Sequence, residues 1–400
     1  LEVGSRPLTA TLFGYAQSAA AVDLSPGGMA SQNFVLSPLP TLPFTGTVTD
    51  GAGQGWPLFA GVTLRTGDYA RTVSTDPVTG QFSLGLLENV SYTLEIAPYT
   101  YGYTPATFSV TAALPSGTTF PLEPSASCET PGYTQDARGI AYLEDFEASD
   151  GGFTATQTTS WIWGQPTSGP GEAQSGLNVW ATNLSGNYLD REEGYLFSPP
   201  IDLSAFAGEK FALNWWQWLV TEQDYDFARF EISVDGGQTW IALLEGLSGE
   251  VDPEWTPYTF YLDESFAVAD FRLRASLQAD AFVTEAGYYL DSISISRHVC
   301  APRAGGLLVG QVLDGVNGLG VNGATVTKDS APNEATTSYA TPEAGGFYTL
   351  FVAEAGVHTF TAAKPGFFPD VEVAEMVKGG VRRQDFILPN LKMYWPVIYR

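Results

Sequence analysis

The sequence is poor in three kinds of feature, and each shortage removes a class of function. Among 400 residues there are two histidines, His298 and His358, and two cysteines, Cys128 and Cys300. Neither histidine lies in an H-E-x-x-H zinc-peptidase motif, and no G-x-S-x-G nucleophile elbow occurs. Basic residues are scarce as well: 18 Lys and Arg face 44 Asp and Glu, a net charge of -26. Such a field repels phosphate backbones and anionic headgroups, which argues against nucleic acid as a partner. Long apolar runs are missing too, since none approaches the roughly 20 residues that a membrane-spanning helix needs.

What is present is aromatic and broken by turns. The chain holds 10 Trp, 19 Tyr and 24 Phe, with 43 Gly and 26 Pro punctuating short apolar stretches. That pattern predicts strands, and the length allows several domains. The charge is uneven: residues 128–300 carry 7 basic and 27 acidic groups, so this block alone holds -20. Its two ends are the cysteines. If they pair, the bond closes a very long loop and stabilises by roughly 4 to 5 kcal/mol in the chain-entropy view. Pairing implies an oxidising, extracytoplasmic compartment; the alternative is two unrelated buried thiols. The chain opens at Leu1 without Met or a secretory leader, as expected of a processed protein or of part of a longer one.

An internal repeat organises the rest. Residues 8–38 superpose on residues 360–390 with a shift of 352 and no gap, matching Gly14 with Gly366, Tyr15 with Phe367, Phe34 with Phe386 and Leu36 with Leu388. A looser third copy carries Gly102, Tyr103, Phe120 and Leu122. Two copies have a front half, running Phe44, Gly46, Val48, Val62, Phe82, Leu84 and Tyr92 in one, and Val309, Val312, Val326, Phe347, Leu350 and Phe360 in the other. Alternating apolar positions with a turn every 8 to 12 residues describe a seven-stranded β-sandwich.

The pattern G-x-V-x-D, G-A-x-V, G-x-F-x-L and Y-T-L resembles the carboxypeptidase regulatory-like, prealbumin-type sandwich. The middle block resembles a different family. Its ordered motifs include Asp145-Phe146-Glu147, W-x-W-G-x-P from Trp161, L-x-S-P-x-I-D-L, the strand "FALNWWQWL", the box Ser233–Trp240 and "YYLDSIS". Together they are similar to the MAM-like jelly roll attached to immune inhibitor A-type peptidases. The resemblances imply an all-β chain of tandem Ig-like or prealbumin-type sandwiches plus one antiparallel jelly roll. The expected layout is a truncated sandwich at 1–40, sandwiches at 41–125 and 303–390, the jelly roll at 126–302 and a tail at 391–400. The jelly-roll resemblance also supports the Cys128–Cys300 pairing, because the two ends of such a fold commonly lie side by side.

Candidate sites follow in the middle block. The resemblance implies that carboxylates from the first and last strands meet at the sheet edge and bind Ca²⁺, with Glu147 and Asp291 foremost and Asp145 next; acidic surface residues without metal are the alternative. Trp161, Trp163, Trp216 and Trp218 are candidates for a ligand platform, since sugars stack on exposed rings. On the strand through "FALNWWQWL", Phe211, Leu213 and Trp215 share one face and Trp216 and Trp218 the other, so one set must be core. Ser233–Trp240 fits an Asp-box, read as a hairpin staple rather than a sialidase site. Gly318–Gly323 matches G-x-G-x-x-G by chance, with no following helix. No catalytic residues are assigned.

The tail "LKMYWPVIYR" resembles C-terminal sorting signals of secreted bacterial proteins. Alternatively, Tyr394, Trp395, Val397, Ile398 and Tyr399 form a strand able to join an open sheet edge. The expected function is a non-catalytic extracellular stalk, adhesin or assembly subunit from a larger precursor. Residues 1–40 would then be completed by a retained upstream segment or by self-association, which yields a filament. The alternative is a module that binds a cell-surface glycan or protein substrate for a peptidase or glycan-degrading enzyme.

Overall fold

The computed structural model describes residues 4–156, 159–342 and 345–390. It is all-β: 28 strands are accompanied, among the described residues, by two 3₁₀ turns, Ser204–Phe206 and Glu264–Phe266. Two compact units emerge. One comprises the described residues up to Pro124, Glu129–Tyr133 and those from Pro302 onward; the other comprises Ser125–Cys128 and Thr134–Ala301.

The first unit contains two sandwiches of one topology. In the earlier one, Leu42–Asp50 lies between Gln81–Leu86 and Thr118–Leu122, the last pairing being parallel. Its second sheet runs Tyr69–Ser74, Ala60–Thr66, Ser91–Pro98, Ala106–Thr111. In the later sandwich Gly306–Asp314 takes the central place beside Phe347–Val352, facing Ala331–Thr337, Thr325–Lys328, Gly356–Ala363 and Asp370–Met376. The same isolated bridge recurs three times: Tyr15 with Pro38, Tyr103 with Pro124 and Phe367 with Asn390. The central strand of each complete copy has a glycine where its parallel neighbour crosses. A Cβ on Gly46 would lie 2.7 Å from the Phe120 ring of that parallel strand, and one on Gly310 would lie 1.9 Å from the Gln384 carbonyl oxygen.

The two sandwiches share a core although the middle block separates them in sequence. Leu307, Val309 and Phe347 pack with Val48, Trp56, Leu58 and Ala60. The Phe59 and Phe347 rings lie 4.7 Å apart, and Tyr339 donates to the Tyr99 carbonyl at 2.7 Å. The physical cause is a double-faced strand pair. Leu307, Leu308 and Val309 are all buried, and Phe347–Val352 buries Tyr348, Leu350 and Val352 inward while Phe347 faces the other sandwich. Consecutive apolar residues cover both faces of a sheet, whereas alternation covers one.

Residues 129–133 of the first unit are anchored on this scaffold. Tyr133 donates to Asp50 Oδ1 at 2.6 Å, and Gln54 Nε2 donates to the carbonyls of Gly132 and Arg303 at 2.9 and 2.7 Å. Arg303 N in turn bonds Gly132 O at 2.8 Å, which ties the outgoing chain to the incoming one. Buried Asp50 also accepts from the amides of Gln54 and Gly55, so its charge is held by four donors counting Tyr103.

Residues 4–38 form a two-stranded sheet, Gly4–Ala10 with Ser18–Leu24. Phe13 packs at 4.6 Å on Tyr69 of the first sandwich. Leu8, Leu12, Met29 and Val35 remain exposed.

The second unit is a two-sheet antiparallel structure. One sheet runs Ile162–Gly164, Val179–Ala181, Gly287–Pro302, Lys210–Val220, Glu250–Leu262, with Tyr133–Glu144 also pairing with Gly287–Pro302. The other runs Thr154–Ala155, Glu193–Phe197, Arg272–Gln278, Phe227–Ser233, Ile241–Leu247. Phe211, Leu213 and Trp215 meet Leu196, Phe230, Ile232 and Leu273 between them. Cys128 and Cys300 are joined by a disulfide with Cα atoms 5.2 Å apart.

Candidate functional site

The D-F-E stretch is built around its middle residue. Phe146 is fully buried against Phe153 and holds a left-handed backbone (φ 60°), while its carbonyl accepts from Trp163 Nε1 at 2.9 Å. Asp145 and Glu147 are left on the opposite side. Glu147 Oε1 accepts from the amides of Leu177 and Asn178 at 2.9 and 2.8 Å. Gly176 lies so close that a Cβ there would sit 2.1 Å from the Glu147 carboxyl carbon, so only glycine allows this approach.

Asp291 reaches the same loop from the last strand. It is fully buried, accepts from Ser175 N at 3.0 Å and from Ser292 Oγ at 3.2 Å, and has no cationic partner among the described residues. Burial pushes its carboxyl up to about 6, with the Ser175 and Ser292 bonds opposing the rise. Glu147, just after the strand Tyr133–Glu144, and Asp291, within Gly287–Pro302, thus both bond the loop at residues 175–178. That set offers two carboxylates, each already accepting from amides of the loop. Asp145 does not complete a trio: its Oδ1 caps the Glu147 amide at 3.2 Å, and Asp145, Glu147 and Asp291 do not gather within ion-binding reach of one another. The short turn sends adjacent carboxylates in different directions.

A three-carboxylate cluster does occur elsewhere, at Glu222, Asp226 and Asp280, with carboxylate oxygens within 4.8 Å of one another. Asp226 is fully buried and accepts from the Tyr188 hydroxyl and, at 2.8 Å, from Asp280 N. Burial, then the charges of Asp280, Asp226 and Glu285, push the Glu222 carboxyl up. The sequence offered E-x-x-Y-D at Glu222–Asp226, but the third member comes from a distant strand end that spacing does not reveal.

The tryptophans divide differently from the candidate platform. Trp215 is core, stacked on Phe230 at 4.1 Å. Trp161 is also buried there, 5.7 Å from Tyr288, so it offers no ring to solvent. Trp218 is buried on the other side of the sheet among Val179, Ala181 and Tyr289, its Nε1 donating to Pro253 O at 2.8 Å. Loop residues Ala173 and Leu184 cover that face, which is why both faces of the strand are apolar. Trp163 and Trp216 are half-buried, and Trp216 lies in register with Asp291. Residues 391–400, with Tyr394, Trp395, Val397, Ile398 and Tyr399, lie outside the described residues.

A different aromatic face is assembled on the second sheet. Tyr195 and Phe197 stack at 6.0 Å, and Phe197 lies 5.8 Å from Trp240. The Arg274 guanidinium sits over Trp240 at 4.3 Å and Tyr195 at 5.1 Å, with Arg274 Nε on Glu231 at 2.6 Å. The Asp-box hairpin fixes Trp240: Asp235 accepts from Thr239 Oγ1 at 2.6 Å and from the amides of Thr239 and Gln238, and Trp240 Nε1 donates to Gly237 O. Those bonds, the Thr239 hydroxyl first, hold the Asp235 carboxyl down at about 2.

No protein family model matches the chain. It is 31% identical over 156 residues to Bacillopeptidase F of Bacillus subtilis (strain 168), a match spanning 39% of this chain. The chain spans 10% of that relative's length. Solved structures with a partial likeness include the C-terminal family 22 carbohydrate binding module of Clostridium thermocellum Xyn10B, at 16% identity over 40% of this chain and 96% of that one, TM-score 0.29. Another is the K1 cleaved adhesin domain of Lys-gingipain from Porphyromonas gingivalis, at 18% identity over 38% and 96%, TM-score 0.28. At these scores the likeness carries no assignment of ligand or activity.

Proposed function

We propose that this chain is a non-catalytic binding and spacing region of a larger extracellular protein. The observation that carries the reading is the shared core of the two sandwiches around Phe59, Leu307, Val309 and Phe347. It makes a single scaffold out of two repeats, with the middle block inserted between them. The Cys128–Cys300 disulfide supports an oxidising, extracellular setting. The resemblance to Bacillopeptidase F supports a peptidase-bearing precursor. In this reading the sandwiches are of the carboxypeptidase regulatory-like kind and the inserted block is the MAM-like jelly roll. The exposed apolar residues of 4–38 accept an upstream segment or a second copy, and the tail at 391–400 serves sorting or strand donation.

Two results test it. Incubated with insoluble cell-envelope polysaccharide and with casein, the intact chain is expected to sediment with the polysaccharide and to hydrolyse neither. Turnover of either substrate, or recovery of all the protein in the supernatant, overturns the reading.

Ca²⁺ held by Glu147 and Asp291 belongs to the same proposal, and its linkage has a defined sign. The Asp291 pKa is raised in the fold, so the native state holds the proton more tightly than the unfolded chain. Without calcium, the contribution of Asp291 therefore falls as pH rises from about 4 to about 6, by about 2 to 3 kcal/mol. Calcium is expected to raise the urea midpoint of the second unit above pH 6 and to leave it unchanged below pH 4. A calcium effect equal at both pH values would remove Asp291 from the site.

A further inference from the structure

Within the first unit the two sandwiches leave a cavity of about 570 Å³ between them, a size that suits a small ligand. Residues 99–103 of the earlier sandwich line one side, and Thr336, Thr337 and Tyr339 of the later one line the other. Both sides are held in place. Tyr99 packs edge-to-face on Phe59 at 5.0 Å and Tyr339 on Phe347 at 5.6 Å, so the two tyrosines rest on the shared core. Thr130 Oγ1 donates to the Gly102 carbonyl, and Gly102 holds φ 80° where a Cβ would lie 2.7 Å from Thr130 Cα. Its neighbour Tyr101 is tethered through its hydroxyl to Glu129 Oε2 at 2.9 Å. Yet Tyr101 is 60% exposed, and no other ring packs on it among the described residues. The cavity therefore has a fixed aromatic ring with a free face.

The polar chemistry of the walls narrows the ligand. No charged side chain is among the lining residues. The hydroxyls of Tyr101, Tyr103 and Tyr339 are spent on Glu129, Asp50 and the Tyr99 carbonyl, so these residues present rings rather than donors. Thr336 and Thr337 keep hydroxyls that bond no other protein group among the described residues. We infer that this cavity is a subsite for one neutral sugar residue of a polysaccharide, stacked on Tyr101 and hydrogen-bonded by Thr336 and Thr337. A sugar ring has an apolar C–H face that packs on an aromatic ring, and its hydroxyls both donate and accept, as those of threonine do. A polyproline-type peptide also packs in aromatic grooves, but its carbonyls need donors, and the tyrosine hydroxyls are already used. An acidic sugar would meet Glu129 and a chain of charge -26 with no cation in the wall to offset them. This deepens the binding role proposed above and rests on it.

The test is affinity electrophoresis of the intact chain in gels containing soluble β-glucan, neutral xylan, oligogalacturonate or poly-L-proline. At least one of the two neutral polymers is expected to retard the protein, and oligogalacturonate to leave its mobility unchanged. Tyr101→Ala is expected to weaken the binding by about tenfold, and Thr336→Val together with Thr337→Val by roughly fivefold. Tyr101→Phe keeps the ring and is expected to weaken it by less than about threefold, with circular dichroism confirming that every variant folds. Unchanged binding by folded Tyr101→Ala overturns the proposal, as does retardation by oligogalacturonate alone. Retardation by poly-L-proline alone identifies a peptide groove and also overturns it. If the chain sediments with envelope polysaccharide but neither neutral polymer retards it, this subsite fails and the general binding role stands.

Discussion

Trp215→Ala is expected to lower the stability of the second unit by about 4 kcal/mol, at the upper range for a fully buried aromatic side chain. The indole stacks on Phe230 at 4.1 Å and 11°, on Tyr258 at 5.3 Å and on Phe260 at 5.6 Å, and alanine would leave a cavity open to all three. Its Nε1 donates to Gln217 at 3.1 Å, but Gln217 Oε1 also accepts from Tyr288 and its amide still donates to Asp252, so the loss is mainly packing. Trp216→Ala, one residue along and half-buried, is expected to cost less than half as much. Urea denaturation followed by tryptophan fluorescence reads both, because eight of the ten tryptophans lie between 161 and 255. Equal midpoints for the two variants would contradict the assignment of the core face.

Removing the disulfide is the second large effect. Replacing both Cys128 and Cys300 with serine frees a loop of sequence separation 172. A loss of about 3 to 5 kcal/mol follows from the entropy returned to the unfolded chain. The same drop in midpoint should appear when the native protein is unfolded in reductant. Because the bond lies wholly within the second unit, a fluorescence signal from Trp56 in the first sandwich should keep its midpoint. A variant that retains the wild-type midpoint would show that pairing of the end strands alone suffices to hold the two cysteines together.

Much of the fold was legible because it is carried by local periodicity. The shift of 352 between residues 8–38 and 360–390 corresponds to the bridges Tyr15–Pro38 and Phe367–Asn390, which need only a glycine turn and an aromatic residue at fixed spacing. The shared core was written less plainly. In the earlier sandwich the strand Gln81–Leu86 reads QFSLGL, strictly alternating, whereas its counterpart Phe347–Val352 reads FYTLFV. The extra phenylalanines at 347 and 351 are the outward face that meets Phe59 and Trp56. The site was harder. Proximity of Glu147 and Asp291 to one loop depends on the long-range pairing of first and last strands, and the burial of Trp218 depends on a loop laid across a sheet face, neither of which has a period. Tyr195, Phe197 and Trp240 are scattered over 46 positions with no motif in common, and only strand order brings them together.

The union of the two sandwiches also determines how this region carries load. Tension applied along the polypeptide from either side enters and leaves through the first unit, where Leu307, Val309 and Phe347 join one sandwich to the other. The inserted unit is then a side branch of the force path, and the Cys128–Cys300 bond keeps its contour length locked even after the sandwiches part. A covalent bond between residues 128 and 300 therefore caps how far that segment can extend under load.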